Sequence, residues 1–399
     1  MIKKGYFLSV QGNDIVDEKK NPLILKGINL GGWLMMEGYI LGGRNIPEHK
    51  FKRKFIKRWG KASLEEFENL FYINFIKEDD FKIIKNLGFN CVRIPFNYRI
   101  VEDGSKFRYL KKVVNWSRKY DLLAILDMHS APGAQNQDWH SDSSGVALLW
   151  RKKNYQKKFI EFWEKIASVF REEEAVAGYD ILNEPVCEDL DVLFKIYKDV
   201  VSVIRKIDRK HIIFLEGNRW AQDIDFLGSP WEDNLVYSIH FYAPLEFTFG
   251  FVRNLKYPGK IQGKHFSKDN LKRLLNRYYQ IKERYQVPIY VGEFGQQSRC
   301  SYCGKEFLWL KDTLEIFKEF GFSWTYWTYK AIAGGMYPDG LFQYLDNPSW
   351  VAREKLIFGW ETYFSLWEKY KRNIVDSWQT KNFKINPSLA KVLFDGIKI

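Results

Sequence analysis

The segment VAGYDILNEP, residues 176–185, has the character of a buried strand that ends abruptly on polar side chains. As far as Leu182 it is mostly apolar, without the alternation of a strand that has one face in water, which is typical of strands covered on both faces. Asn183 and Glu184 follow at once, and Pro185 ends the run. A covered strand that ends on a carboxylate beside an amide raises the question of what these two side chains do.

Similar runs recur along the chain, and segments with apolar residues at helical spacing, such as YQKKFIEFWEKIASVF (155–170), lie between them. The eight strand-like runs are LILKGINL (23–30), NCVRIPF (90–96), LLAILDMH (122–129), VAGYDILNE (176–184), HIIFLEG (211–217), LVYSIHFY (235–242), PIYVGEF (288–294) and FSWTYWTYK (322–330). This α/β alternation predicts a parallel (β/α)8 TIM barrel. A doubly wound open sheet is the alternative, but no G-x-G-x-x-G or Walker sequence follows the first strand.

The two ends of the chain predict additions to the barrel. Before the first strand, YFLSVQGNDIVDEKKNPLI has a turn at GND between two short runs and predicts a hairpin at the bottom of the barrel. After the eighth strand, residues 331–383 form a long aromatic-rich insertion, in which WVAREKLIFGWETYFSLWEKYKRNIVDSW is helix-like, and NPSLAKVLFDGI would be the closing helix. No Pro/Ser-rich linker divides the chain, so we expect a single catalytic domain over 1–399.

The composition, 46% hydrophobic and 28% charged residues in 399, is typical of a globular protein with a large core. The apolar run near the N-terminus is too short for the core of a signal peptide, and no run approaches the ~18 apolar residues of a membrane span. We therefore expect a cytoplasmic protein that does not enter a membrane, or a secreted one if a signal was removed.

The net charge of +13 and the basic cluster HKFKRKFIKRWGK (49–61) raise the possibility of nucleic-acid binding. Solvated lysines on helix faces are the alternative, and we favour it because no zinc-finger spacing or RNP-like string accompanies the charge. Cys300 and Cys303 form a C-x-x-C pair, but zinc would need a second pair or histidines nearby. A plain loop or a local disulfide fits better, and we predict neither a metal nor a cofactor.

Polar residues cluster at the strand ends that would surround the mouth of a barrel, where TIM-barrel active sites lie. They are Asn29, Glu37, Arg93, His129, Asn183, Glu184, His240, Tyr242, Glu293 and Trp327. Any one of them has an ordinary structural explanation, but their coincidence at one face predicts a site.

Two carboxylates on different strands suit a glycosidic bond. One must be protonated to assist the departing oxygen, and the other must be ionised to attack or stabilise the anomeric carbon. Asn183 is placed to bind a sugar hydroxyl, while Arg93 and Tyr242 are placed to keep Glu293 ionised and aimed. The segment quoted first therefore predicts a sugar-cleaving site.

Several motifs resemble glycoside hydrolase family 5, a family of retaining β-glycosidases with this barrel. ILNEP is similar to its acid/base motif and VGEFG to its nucleophile motif, which implies that Glu184 is the general acid/base and Glu293 the nucleophile. The resemblance also implies that Arg93, His129, Asn183, His240, Tyr242 and Trp327 position the sugar.

GINLGGWLMMEGYI, FYINFIKEDDFKIIKNLGFNCVRIPF and DMHSAPGAQN resemble the exo-β-1,3-glucanase branch, in which the glutamate matching Glu37 contacts the terminal sugar. We expect Glu37 on an exposed loop. Three features of this sequence depart from that branch: the loop QDWHSDSSG, the motif VGEFG and the insertion at 331–383. Further sugar platforms are Trp139 and one of Trp33 or Trp220, because flat aromatic faces stack on pyranose rings.

The sequence thus predicts a retaining exo-β-glucosidase or exo-β-1,3-glucanase that acts on β-linked glucan oligosaccharides. An endo-β-1,4-glucanase (cellulase) or a mannanase is the first alternative within the class, and a sphingolipid-linked glycosidase is more remote. The alternative outside the class is a catalytically silent barrel that binds polyanions, which the intact Glu184 and Glu293 oppose.

Overall fold

A computed structural model describes residues 6–298, 307–332, 336–344 and 360–398. Its strands are β1 (Ser9–Gln11), β2 (Asp14–Val16), β3 (Lys26–Asn29), β4 (Cys91–Asn97), β5 (Leu123–Ser130), β6 (Val176–Asp180), β7 (Ile212–Glu216), β8 (Leu235–Phe241), β9 (Gly259–Ile261), β10 (Lys264–Phe266), β11 (Ile289–Phe294), β12 (Ser323–Tyr326), β13 (Lys330–Ile332), β14 (Phe342–Tyr344) and β15 (Lys384–Ile385). Its helices are α1 (Glu48–Asn74), α2 (Glu78–Asn86), α3 (Arg99–Glu102), α4 (Phe107–Lys119), α5 (Lys153–Phe170), α6 (Leu190–Ile207), α7 (Asn218–Ala221), α8 (Leu245–Thr248), α9 (Lys268–Tyr285), α10 (Leu308–Phe320), α11 (Trp360–Ser377) and α12 (Pro387–Lys398).

Eight parallel strands close into a barrel in the order β3–β4–β5–β6–β7–β8–β11–β12, and β12 pairs with β3. All eight overlap the strand-like runs of the sequence, so the predicted (β/α)8 barrel is confirmed. The segment at 176–185 shows how its sequence suits the barrel, because a Cβ on Gly178 would overlap the carbonyl oxygen of Ile212 on the next strand. A glycine there lets the two strands approach closely.

The barrel has two apolar layers. The interior is filled by side chains from alternate strands, among them Ile125, Phe214 and Tyr290. The outer faces of the strands pack against the surrounding helices, as when Trp163 of α5 lies against Tyr179 of β6 with ring centroids 5.8 Å apart. Because both faces of each barrel strand are covered, these strands are continuous apolar runs in the sequence.

The predicted N-terminal hairpin is confirmed by the pairing of β1 with β2. Leu8 and Ile15 pack into the same cluster as the interior residues Ile125 and Ile212, and the Val10 N–H donates to Asn234 Oδ1 at 2.8 Å just before β8. The hairpin therefore covers the amino-terminal end of the barrel, opposite the predicted site.

The C-terminal region packs against the outside of the barrel. Helix α11 lies within the predicted helical segment of the insertion and packs on α1, while residues 345–359 of the insertion and the pair Cys300 and Cys303 lie outside the described residues. The predicted closing helix is α12, which packs on α10. The single-domain interpretation stays a prediction. Among the described helices, none combines the length and the apolar character that a membrane span requires.

Candidate active site

The predicted site residues meet at the carboxyl ends of the barrel strands, around a cavity of about 670 Å³. The cavity is lined by Glu37, His129, Trp139, Glu184, His240, Tyr242, Glu293 and Trp327. Arg93 and Asn183 are fully buried and hydrogen-bond each other at 2.9 Å. Of the two alternative platforms, Trp220 lines the cavity, whereas Trp33 does not, because it is buried against Trp116 in the core.

Glu293 is held at both of its carboxylate oxygens. Arg93 Nη1 donates to Oε1 at 2.8 Å, and the Tyr242 hydroxyl donates to Oε2 at 2.8 Å. Strand β11 places Glu293 beside His240 of the neighbouring strand, whose Nδ1 lies 3.6 Å from Oε2. These contacts fix the orientation of the carboxylate and leave it at the cavity wall.

Arg93 is the charge centre beneath the site. Its fully buried guanidinium lies 2.8 to 3.1 Å from carboxylate oxygens of Asp127, Asp180, Glu216 and Glu293. Burial alone would lower the Arg93 pKa, but the four carboxylates raise it well above its usual range. Burial and the charge of Glu216 raise the pKa of Asp180 to about 7. Three of these acids approach closely enough to hold a cation, yet each already binds Arg93, which supplies the positive charge there.

Glu184 has an imidazole at each carboxylate oxygen. His240 Nδ1 lies 2.8 Å from Oε1, and His140 Nε2 lies 2.9 Å from Oε2. Burial raises the pKa of Glu184, but the hydrogen bonds and charges of the two imidazoles outweigh burial and hold it well below its usual range. Glu184 also has a left-handed φ of +47°, and its N–H donates to Glu216 Oε2 at 2.7 Å, which stabilises the turn.

The distance between the two candidate catalytic carboxylates indicates which glycosidase mechanism they could support. An oxygen of Glu184 and an oxygen of Glu293 lie within 4.8 Å of each other. Carboxyl groups in retaining glycosidases are about 5–5.5 Å apart, whereas inverting enzymes need about 6.5–9.5 Å to admit a water molecule. The spacing is therefore that of a double displacement through a covalent intermediate.

Glu37 lies on the other side of the cavity, and the expectation of an exposed loop is wrong for it. Its side chain is only 3% exposed, because the chain after β3 folds down into the mouth. His129 Nε2 lies 3.5 Å from Glu37 Oε1. The His129 ring stacks on the Trp327 ring, with the ring centroids 5.5 Å apart. Burial raises the Glu37 pKa, while Asp127, at 2.8 Å from Nδ1, helps to raise the pKa of His129 to about 10 against the effect of burial.

A belt of aromatic rings lines the mouth. Trp327 Nε1 donates to the Tyr39 hydroxyl, and Tyr39 in turn packs on the next ring of the belt. The belt, named here the aromatic belt, consists of Trp139, Tyr39, Tyr337, Phe249 and Tyr242, with successive centroids 6.0, 4.8, 5.1 and 4.8 Å apart. It joins the segments that follow β5, β3, β13 and β8.

Sequence reasoning missed two groups of site residues. Asp127, Asp180 and Glu216 are ionisable residues inside apolar strand runs, and that signal could have revealed them as partners of a buried cation. Asp127 even precedes His129 by two positions, which places both on one face of β5. His140 lies in the loop QDWHSDSSG, and Tyr337 lies in the insertion; both depend on loop conformation, and no strand pattern signals them.

The profile for cellulases, described as glycosyl hydrolase family 5, matches residues 54–332 of this sequence. The chain belongs to this family. A β-xylosidase of Phanerodontia chrysosporium is 35% identical to this family 5 chain, over 82% of the chain and 71% of the relative. Endoglucanase C of Acetivibrio thermocellus is 27% identical, over 77% of the chain and 91% of the relative.

A crystal structure of a hyperthermophilic endo-β-1,4-glucanase in complex with substrate covers 86% of this family 5 chain and 96% of its own, with a TM-score of 0.59 and 24% identity. At this identity the likeness concerns the fold. The family membership predicted from ILNEP and VGEFG is confirmed, and with it a glycosidase that hydrolyses O-glycosyl bonds. The relatives' names include both a β-xylosidase and an endoglucanase, so specificity rests on the site itself.

Proposed function

We propose that this chain is an exo-acting, retaining β-glucosidase that removes single glucose units from the non-reducing ends of β-linked glucan oligosaccharides. Glu293 attacks the anomeric carbon, with the Arg93 guanidinium as its positive partner and the Tyr242 hydroxyl as its orienting donor. Glu184 gives a proton to the departing oxygen, then takes one from the water that releases the sugar. Two inversions at one carbon retain the β configuration.

The proton chemistry of Glu184 involves its two imidazole partners. Burial lowers the pKa of His140, but the hydrogen bond and charge of Glu184 outweigh burial and raise it. The unit that must be protonated in the first step is therefore the cluster of Glu184, His140 and His240 rather than the carboxyl group alone. In the second step the same imidazoles favour the carboxylate form, which a general base requires.

The aromatic belt is the single observation that carries the exo assignment. An endo-acting enzyme needs a cleft that lets a glucan chain continue on both sides of the cleaved bond. Here the belt contacts Trp327 on the side of the cavity that contains Glu37 and His129, which supports a pocket with a buried carboxylate at its end. A pocket of this kind suits one terminal sugar. The alternative of an endo-β-1,4-glucanase is favoured by the endoglucanase names of several relatives.

The exo assignment is tested by the products formed from cello- and laminari-oligosaccharides of four to six units. We expect free glucose from the first time point, with the β anomer appearing first by NMR.

We expect Glu37→Gln to lower kcat/KM at least about tenfold, because it removes charge-assisted hydrogen bonds of about 1.5–3 kcal/mol each. Early release of cellobiose or longer fragments, or full efficiency of Glu37→Gln, would contradict the proposal.

The same variant has a stability readout that separates binding from misfolding. The folded-state pKa of Glu37 is raised, so the native protein holds this proton more tightly than the unfolded chain. The wild type then loses stability, relative to Glu37→Gln, as pH rises through the folded pKa. We expect the variant to melt at the same temperature as the wild type in acid, below the unfolded pKa, and at a higher temperature at pH 7. A variant that melts lower at pH 7 would make its loss of activity uninformative about the pocket.

A further inference from the structure

The cavity extends beyond the catalytic pair to a second, apolar surface. Its apolar members, named here the apolar wall, are Leu245, Ile261, Phe266 and Leu274. The side chains of Leu245 and Leu274 are 40% and 43% exposed although they face a cavity. Large apolar side chains left open to solvent at a binding cavity mark a surface that gains free energy when a ligand covers it.

The position of the apolar wall relative to the catalytic groups assigns it to the leaving group. Glu37 and Trp327 follow β3 and β12, and His129 lies near the end of β5, so the three are on one arc of the barrel. The apolar wall belongs to segments that follow β8, and Trp220, which also lines the cavity, follows β7. In the order of the barrel, β7 and β8 lie opposite β3 and β4. A sugar in the closed pocket would therefore direct its departing oxygen, past Glu184, toward the apolar wall.

The polar groups near the apolar wall mostly bind one another. Gln262 Nε2 donates to Glu246 Oε1 at 2.6 Å, and Arg277 lies 2.6 Å from Asp225. The Tyr278 hydroxyl donates to the carbonyl of Gln222 at 2.8 Å. A second pyranose ring carries several hydroxyls that need partners in place of water, and these paired groups supply few. A hydrocarbon or aryl group needs none.

From this geometry we infer that the apolar wall binds the apolar aglycone of a β-glucoside, an alkyl or aryl alcohol, as the leaving group of the proposed reaction. The inference rests on the proposed function and extends its substrates from glucan oligosaccharides to β-glucosides of apolar alcohols. In the reaction the bond between the anomeric carbon and the glycosidic oxygen breaks, the alcohol leaves with a proton from the Glu184 cluster, and water supplies the hydroxyl of the released glucose. No further reactant is needed.

A series of n-alkyl β-glucosides from methyl to octyl, assayed below their micelle concentrations, tests the inference. The primary alcohols are nearly equal as leaving groups, so a trend in kcat/KM reports binding of the chain. Each methylene that the apolar wall buries is expected to raise kcat/KM about two- to fourfold, since full burial is worth about fourfold. We expect octyl β-glucoside to exceed butyl β-glucoside by at least about tenfold.

Two surface variants and one matched control complete the test. Leu245→Asn and Leu274→Asn each remove part of the apolar wall, and we expect the octyl advantage to fall at least threefold while methyl β-glucoside is cleaved as before. The control is Ile73→Asn on α1, where the side chain is 42% exposed and outside the cavity, and we expect it to behave as the wild type. A flat alkyl series, or an octyl advantage that both variants keep, overturns the inference while the proposed function stands. Failure to cleave any β-glucoside, including an activated aryl glucoside, overturns both.

Discussion

His140 shows how a single loop residue can influence the proposed acid/base group. It faces Glu184, His129 and Asp138, and the carboxylate it contacts also faces His240 and Glu293. In the proposed mechanism Glu184 and His140, 2.9 Å apart, titrate as a pair, and the pair keeps its last proton to higher pH than Glu184 would alone. Loss of that proton would then remove the general acid and set the alkaline limb of the pH–rate profile.

We therefore expect His140→Gln to move the alkaline limb of kcat/KM for octyl β-glucoside to lower pH, by about one unit or more. Glutamine can still donate to Glu184 but has no titratable proton in this range. The control substrate is 2,4-dinitrophenyl β-glucoside, whose leaving group needs little protonation, and its alkaline limb should not move with the variant. An unchanged limb on the alkyl substrate would show that His140 does not take part in the proton chemistry.

At the scale of single residues, the sequence predicted the site residues at the ends of strands and missed those in loops. Glu184 and Glu293 each follow an apolar strand run directly, so the barrel itself brings them together. His140 lies 44 positions before Glu184, in a loop whose path no periodic pattern describes. The burial of Glu37 was missed for the same reason, since the fold of its loop, rather than its polarity, decides its exposure.

Lys330, at the start of β13, ties the C-terminal region to the barrel. It is 1% exposed and donates to the backbone carbonyls of Phe75, just after α1, and of Trp378, just after α11. Its ammonium also lies 5.0 Å from the ring centroid of Phe383. Burial, only partly offset by the charge of Asp80, lowers the pKa of Lys330 to about 8.

This pKa predicts how Lys330→Met changes the dependence of stability on pH. Between pH 8 and pH 10.5 the native protein binds fewer protons at Lys330 than the unfolded chain does, so its contribution to stability rises with pH. The free energy of unfolding of the wild type, minus that of Lys330→Met, should increase by about 3 kcal/mol over this interval. Denaturant unfolding at several pH values measures it.

The control is Lys311→Met, because the Lys311 side chain is 60% exposed. Its difference from the wild type should stay nearly constant with pH. A constant difference for Lys330→Met as well would mean that the ammonium is not buried as the contacts indicate.

At the scale of helices and strands, the sequence predicted the elements that have regularly spaced apolar residues. The barrel strands, the N-terminal hairpin and α12 all follow from apolar spacing and turn residues. The kink in α1 at Gly60, where φ is +84°, and the hairpin of β9 and β10 were missed. Both are short features that no repeating apolar pattern signals.

For the whole molecule, the basic cluster at 49–61 lies on α1 and contributes no residue to the cavity lining. Arg53, Lys54, Lys57 and Arg58 are exposed, whereas Lys52 pairs with Glu68 at 2.7 Å. This is the arrangement expected of solvated charges on a helix face. The proposed catalytic architecture is separate from it, and consists of Glu184 and Glu293 at the cavity, with the buried Arg93 guanidinium bound to Glu293.

The covalent intermediate tests this architecture most directly. We expect a 2-deoxy-2-fluoro-β-glucoside with an activated leaving group to form a glycosyl-enzyme that turns over slowly, since fluorine destabilises the positive charge that develops in both steps. Intact mass spectrometry should show one added sugar per chain, and peptide mapping should place it on Glu293. An unlabelled chain that is nevertheless inactivated, or a label on Glu184, would contradict the assignment of Glu293 as the nucleophile.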